Sequence, residues 1–267
     1  MNATRVEIPK SLYKYYSPIG AERTIFDNTL KWTLPCDEND PFEAMPIGWD
    51  LTAVKQHVPD CKTEDVMSLD AIFDGNKVKE MISHITSFVS FAEEKDVSLM
   101  WAHYAEKHSG ACLEFDTAIL QDKIDYFKRV TYAKPDDERK RCPLPHDALG
   151  DNSPEYQKRV RDFLSYKANE WSYEKEWRWI VPPMVNIITC KKDGDKYILA
   201  SDIPQGAVTK LIFGYNMPPS TRLVLAKQIR VKHPACRFAH AVLDPKLFKI
   251  SVVDLDIDAM ETSALGK

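Results

Sequence analysis

The sequence predicts an α+β fold in a single domain, with a split mixed or antiparallel sheet and flanking helices. Three observations predict it. Short aromatic and β-branched runs bounded by Gly, Pro, Asn and Asp, such as 86–91, 111–115 and 208–213, are interleaved with stretches of helical periodicity. At 267 residues, 44% of them hydrophobic and 28% charged, the chain is long enough for one large mixed domain. No internal repeat, low-complexity segment or clear linker divides it, so the domain is expected at 1–258, followed by a flexible tail at 259–267.

Residues 11–16 alternate enough for a first strand, which Ser17-Pro18-Ile19-Gly20 ends. Residues 21–28 then suit two turns of helix and 31–34 a second strand. Residues 36–43 read as a tight polar turn, with Asn39 and Asp40 able to bond their own backbone. A helix is expected near 76–85 and a strand at 86–91. Asp96 or Ser98 can then cap a helix through His108, with Gly110 as its stop. Strands are expected at 111–115 and 127–132, followed by an exposed, charged and proline-rich loop over 134–154. Ser153-Pro154 starts a helix whose stripe is Tyr156, Val160, Phe163, Leu164 and Trp171. Beyond a polar turn at 191–195, strands are expected at 197–199 and 208–214, a helix from Pro218 through Ile229, and strands at 237–242 and 248–253. The acidic residues after Asp254 look loose.

A formal charge of −4 argues against a surface built throughout to grip nucleic acid, although it leaves room for a local basic patch. No run approaches the roughly 18 apolar residues of a membrane span, and the N-terminus lacks a secretory apolar core. A cytoplasmic protein without membrane attachment is the default expectation. Six scattered cysteines with no C-x-x-C pair read as reduced thiols. His103 and His108 lie five apart, which splays them around a helix, and H-E-x-x-H is missing, so no metal is expected. The chain also lacks G-x-G-x-x-G, G-x-x-x-x-G-K-[ST] and G-x-S-x-G, which disfavours a Rossmann turn, a P-loop and a serine hydrolase.

The richest segment is Trp171-Ser172-Tyr173-Glu174-Lys175-Glu176-Trp177-Arg178-Trp179-Ile180. Read as a strand, it puts Glu174, Glu176 and Arg178 on one face and Lys175, Trp177 and Trp179 on the other. If the indoles pack inward, the opposite face suits either a polar cleft or water. Glu176 and Arg178, two apart, could equally be a same-face ion pair that orients the strand. The sequence alone leaves these readings open.

Four clusters, Tyr13-Lys14-Tyr15-Tyr16, Asn39-Asp40-Pro41-Phe42-Glu43, Met100-Trp101-Ala102-His103-Tyr104 and Glu174-Lys175-Glu176-Trp177-Arg178, occur in order before a later I-x-G strand. Together they resemble the motifs of a mainly bacterial and phage domain-of-unknown-function family, number 2971, over about residues 12–214. The opening of the chain is similar to that of ADP-ribosyltransferase-like domains. That resemblance implies an ADP-ribosyltransferase-like fold and NAD as substrate, with Lys14 on the first strand, Ser90 or Tyr104 on a middle motif, and Glu176 as the late catalytic glutamate. Lysine stands at the first position where that superfamily usually has histidine or arginine.

Breaking the nicotinamide-ribose bond builds positive charge on the sugar, so a carboxylate facing the developing oxocarbenium stabilises the transition state more than the ground state. The catalytic candidates are Glu176, Tyr104 and His103. The NAD-binding candidates are Lys14, Tyr15, Ser90, Trp101 and Arg178: Tyr104 or Trp101 for stacking on nicotinamide, Lys14 and Arg178 for phosphate or ribose oxygens. Glu174 could activate an acceptor, which would be protein, nucleic acid or a small molecule. The implied role is an ADP-ribosyltransferase or NAD glycohydrolase, serving as a toxin or phage-defence effector. The alternative is a non-catalytic module that senses a nucleotide or nucleic acid through the same cleft.

Overall fold

In the computed structural model, eight strands among the described residues form one mixed sheet, in the order β13 (Lys249–Asp254), β12 (Arg237–Asp244), β11 (Val208–Phe213), β4 (Ala111–Asp116), β1 (Ser11–Tyr16), β3 (Ser87–Ala92), β8 (Glu176–Val181) and β5 (Phe127–Arg129), the frame on which the candidate residues are hung. The structure describes residues 7–40, 83, 86–121, 127–134, 154–181, 189–193 and 196–265. The expected helix near 76–85, the basic cluster at 139–141 and most of the 134–154 loop fall outside them. Among the described residues the fold is α+β with a large mixed sheet, as the sequence predicts.

The strands at its centre are β1 (Ser11–Tyr16), β3 (Ser87–Ala92), β4 (Ala111–Asp116), β8 (Glu176–Val181) and β11 (Val208–Phe213). β4 pairs antiparallel with β1 from Ser11↔Asp116 to Tyr16↔Ala111, and β3 pairs antiparallel with β8 from Ser87↔Val181 to Ala92↔Glu176. Between them, β1 and β3 register at Tyr13↔Ala92 alone. The sheet is therefore nearly cut in two at this seam. Strand β5 (Phe127–Arg129) closes one edge against β8. On the other side, β12 (Arg237–Asp244) runs parallel to β11 after a crossover through helix α5 (Pro219–Lys232), and the hairpin to β13 (Lys249–Asp254) completes the sheet.

One face carries the main core, in which Leu12, Leu113, Phe115, Leu211, Phe213 and both Trp177 and Trp179 meet the apolar sides of α5 and of α1 (Pro18–Asp27). The side chain of Ser17 caps α1 by accepting from Gly20 N, and Pro18 begins the helix where a missing N–H costs nothing. The other face carries a smaller core of Tyr15, Trp101, Ala105, Cys112 and Ile212 under the short helix α2 (Ser98–His103). Two smaller sheets complete the frame. Strand β2 (Thr29–Trp32) pairs with β10 (Lys196–Asp202), which pairs with β9 (Thr189–Asp193), and β6 (Thr131–Ala133) runs parallel to β7 (Tyr166–Ala168).

Several expectations are corrected here. The helix expected through His108 stops at His103, and Glu106, Lys107 and His108 all take positive φ, from 45° to 67°. The left-handed run turns the chain back so that Gly110 N reaches Ala105 O and β4 can begin at once. Gly110 is needed for a second reason: a Cβ there would lie 1.9 Å from Tyr16 O. The strand expected at 127–132 divides at Val130, with β5 joining the large sheet and β6 the two-stranded one. The turn expected at 191–195 is strand as far as Asp193, where β10 supplies a partner. The tail after Asp254 is not loose: Ile257–Leu265 forms α6, whose Asp258 and Glu261 pair with Arg230 and Lys227 of α5. Helix α3 (Thr117–Gln121) follows β4, and between β6 and β7 helix α4 (Pro154–Phe163) buries Val160 and Phe163 as expected, with Leu164 following it into the core. Trp171, expected on the same stripe, belongs instead to the 3-10 turn Asn169–Glu174.

A buried histidine ties three of these elements together. His233, just past α5, accepts from Gly206 N at Nδ1 (3.2 Å) and meets Asn28 Oδ1 at Nε2 (2.8 Å), while Asn28 Nδ2 donates to Ile203 O. The ring is a neutral acceptor and donor at once, and burial lowers its pKa from the ordinary value. An unfolded chain protonates this histidine below about pH 6.5 while the folded one resists, so protons favour unfolding there. Stability should fall as the pH drops below that value, down to the folded pKa. The loss of melting temperature between pH 7.5 and 5.5 should accordingly be smaller in His233→Gln than in the parent protein, and an equal loss would remove His233 as a cause.

Candidate functional site

The seam between β1 and β3 opens into a cleft of about 260 Å³, lined from both halves of the sheet. Its walls include Lys14 and Tyr15 of β1, Ser90 of β3, Tyr104 at the end of α2, and Glu174 and Glu176. Lys31 and Thr33 from the β2 side, with Asp37, Glu38 and Asn39 after the 3-10 turn Pro35–Asp37, line it further. A polar cleft, and not open water, therefore faces the carboxylates.

The glutamate-tryptophan segment is not one strand. Residues Asn169–Glu174 form a 3-10 turn, Lys175 takes φ 45° to end it, and β8 starts at Glu176. Glu174 and Glu176 nevertheless meet on one side, where the Lys167 ammonium reaches both carboxylates. Both faces of β8 are buried. Trp179 stacks on Phe127 at 5.6 Å and tilts against Trp32 at 5.0 Å, and Trp177 Nε1 donates to Glu93 Oε1 at 2.6 Å, so the two indoles are core.

Opposite the indoles sits a closed ionic cluster. Arg178, fully buried, grips Glu176 with two bonds, Nε to Oε1 at 2.7 Å and Nη2 to Oε2 at 3.1 Å, and also donates from Nη1 to Leu164 O. Its guanidinium lies 4.5 Å from the Phe88 ring centroid. Lys167 of β7 reaches Glu174 Oε2 at 2.6 Å and Glu176 Oε2 at 3.2 Å. Tyr104 Oη donates to Glu174 Oε1 at 2.5 Å, and the backbone N–H of Glu176 donates to Tyr132 Oη at 2.7 Å. The ion pair that sequence offered as an alternative to a site is thus real, and its carboxylate, Glu176, lines the cleft while Arg178 is buried behind it.

The two carboxyls are pushed in opposite directions. Burial favours the neutral form of Glu176, but the charges of Arg178 and Lys167 and a bond from Ser90 outweigh it and hold this carboxyl well below the usual carboxylate range. For Glu174 burial wins: its pKa is raised, Lys167 opposes the rise and the neighbouring charge of Glu176 adds to it. Two titratable groups driven apart by their surroundings are how one site keeps an anion and a proton-carrying group side by side. Burial and the Glu174 charge push the Tyr104 phenol upward, so it stays a donor. Burial brings Lys14 down to about 8, while its Nζ donates to Ser90 O at 2.9 Å across the seam.

The structure brings Lys14, Tyr15, Ser90, Tyr104 and Glu176 to this cleft, with Glu174 beside them. Tyr15 lines it as well, with its ring packed on Trp101 and its hydroxyl donating to Glu94 O. It does not bring three other candidates to it. His103 is exposed at the end of α2, with its ring 6.4 Å from that of Tyr173, because it shares the outward face of the helix with Leu99 four residues earlier. Trp101 is fully buried in the smaller core, edge-on to Tyr15 at 5.2 Å, with Nε1 donating to Lys95 O, so it cannot stack on a ligand. Arg178 lies behind Glu176, bonded to its carboxylate. Lys167 and Tyr132 escaped sequence reasoning. Each sits in a three-residue strand with too little pattern to read, and only the parallel pairing of β6 with β7, which sets Tyr132 against Lys167, delivers them to Glu176.

The segment carrying most of these groups is similar to a described family over part of the chain. Residues 100–179 match the family model described as Protein of unknown function (DUF2971). The DUF2971 match begins at Met100 and ends at Trp179, so it takes in Tyr104, Lys167, Glu174 and Glu176 and leaves Lys14 and Ser90 outside. No curated protein and no solved structure matches the chain. Among the described residues there is no group of three or more His, Cys, Asp or Glu that could hold a metal ion, and no helix long and apolar enough to cross a membrane.

Proposed function

We propose that the cleft binds NAD by its nicotinamide-ribose half and breaks the glycosidic bond, as an ADP-ribosyltransferase or NAD glycohydrolase. One observation carries this reading: Lys14, Ser90, Tyr104 and Glu176, from four separate elements, line a single cleft that also holds Glu174, with the pKa of Glu176 lowered by Arg178 and Lys167 and that of Glu174 raised by burial. As the C1′–N bond breaks, its electron pair leaves with nicotinamide and the ribose becomes an oxocarbenium ion. Glu176, fixed by Arg178, stabilises that charge through space without having to reorganise. Water, or a heteroatom of an acceptor, then attacks C1′, and its proton passes to Glu174 in its ionised form, whose raised pKa makes it a better base than an ordinary carboxylate.

Tyr104 and Tyr15 supply aromatic faces for the nicotinamide ring, and Lys14 with Lys31 faces the phosphate side. A volume of about 260 Å³ suits half of a dinucleotide, leaving the adenosine half toward the rim of Asp37, Glu38 and Asn39. The acceptor class is a protein, a nucleic acid or a small molecule, and a role as toxin or phage-defence effector follows if the reaction drains NAD or modifies an essential target. Purified protein incubated with NAD should release nicotinamide, or transfer label from NAD to a lysate component. If it does neither, yet NAD raises its melting temperature, the non-catalytic sensor reading replaces this one.

A further inference from the structure

We propose that Lys167 is a positioning residue that divides the protons between Glu174 and Glu176, so that one carboxyl of the cleft stays charged and the other stays available for proton transfer. For catalysis this rests on the glycosidic reading above; as a property of the cluster it stands without it. The geometry is that of a bridge. Lys167 Nζ lies 2.6 Å from Glu174 Oε2 and 3.2 Å from Glu176 Oε2, with its side chain only 5% exposed. Glu176 has a second cation, since Arg178 holds it with two bonds, whereas among the described residues Glu174 pairs with Lys167 alone. Removing Lys167 therefore affects the two carboxyls unequally.

The lysine is held where it can act this way. Register places it beside Tyr132, whose hydroxyl accepts from Glu176 N, so the same two-stranded sheet fixes both the glutamate backbone and the ammonium. The Trp171 ring, 5.0 Å from Nζ, covers it from the third side and favours the cationic form. Around the bridge face the phenols of Tyr104, Tyr132 and Tyr173, the guanidinium of Arg178 and, toward Glu176, the ammonium of Lys14. With Glu174 neutral the cluster of Glu174, Glu176, Lys167 and Arg178 carries one net positive charge, and with Glu174 ionised it carries none. Gain and loss of one proton at Glu174 thus change the cleft from cationic to neutral, and Lys167 opposes the cost of that ionisation.

Carbon-13 NMR of protein labelled at the glutamate side-chain carboxyls, with nitrogen-15 in the lysine amines, tests this without NAD. In the parent protein the Glu174 carboxyl, assigned by its loss in Glu174→Gln, should titrate above the ordinary glutamate range, and the Lys167 ammonium shift should step at the same midpoint. Lys167→Met should raise the Glu174 midpoint by about 1–3 pH units, the usual effect of losing an adjacent opposite charge. Lys167→Arg, which keeps the charge, should leave it near the parent value. An unmoved midpoint in folded Lys167→Met overturns the proposal. If that variant does not fold, the parent protein decides: a Lys167 ammonium shift that ignores the Glu174 titration overturns it equally. Loss of NAD chemistry alone would count against the glycosidic reading and leave this coupling untouched.

Discussion

Glu176→Gln should lower nicotinamide release from NAD by about 10²–10³-fold, the usual effect of removing one preorganised electrostatic stabiliser from a transition state. The change keeps the shape of the side chain and an acceptor oxygen for Arg178, so the cleft should keep its walls. What disappears is the negative charge that faces the ribose. If NAD binds mainly through Lys14, Tyr104 and the rim, the effect should fall on kcat with little change in KM, the signature of an interaction made chiefly in the transition state. Stability should drop as well, because Lys167 and Arg178 are left as buried cations short of an anion, and breaking a buried pair costs about 3–5 kcal/mol. The two readouts separate chemistry from architecture. Unchanged kcat in Glu176→Gln, whatever its melting temperature, would make this carboxylate purely structural.

Gly110→Ala should be the most damaging small change in the sheet. A Cβ at this position falls 1.9 Å from Tyr16 O and 3.0 Å from the same carbonyl carbon, and neither is the free end of a side chain that could swing away. Strand β1 would have to move off β4, and with it Lys14 at the cleft. Overpacking of this kind costs about 3 kcal/mol, near the top of its usual range. For a chain of this size that is about 6–12 °C of melting temperature. Gly214→Ala should behave alike, since its Cβ would meet His108 O at 2.2 Å. It sits at the far end of the same contact, where Gly214 N donates to Gly110 O. Melting curves of both variants within a degree or two of the parent would show that the backbone there gives way easily.

The elements that sequence reads best are those whose residues decide locally. Ser11–Tyr16 alternates enough and Val208–Phe213 is apolar enough to be central, so β1 and β11 lie where the pattern puts them, and the helix expected after β1 is present but begins at Pro18 instead of residue 21 because Ser17 caps it. The misreadings share one cause, which is that a distant partner overrides the local signal. Leu99 to His108 has helical spacing throughout, but Gly110 must dock on Tyr16 O, and that forces the left-handed turn at Glu106, Lys107 and His108. His103 stays outside the cleft because it lies on the outward face of α2 with Leu99. Tyr104 is the last residue in position to enter it. Glu174 and Glu176 were recognisable as a polar face, but the depth of that face was not, since nothing in the segment itself announces Lys167 arriving from β7 or Leu164 O accepting from Arg178. Trp101 misled for a related reason: an indole beside a histidine and a tyrosine resembles a stacking platform, and only the three-dimensional packing against Tyr15 makes it core.

The seam between β1 and β3 has a mechanical meaning as well as a chemical one. Two half-sheets joined by the single rung Tyr13↔Ala92 behave like a book held by one stitch, with Lys14 on one page and Ser90 and Glu176 on the other. Lys14 Nζ, donating to Ser90 O across the gap, is a second thread. Anything seated there touches both pages and acts as binding for the spine. Its grip adds directly to the resistance of the whole sheet to being pulled apart.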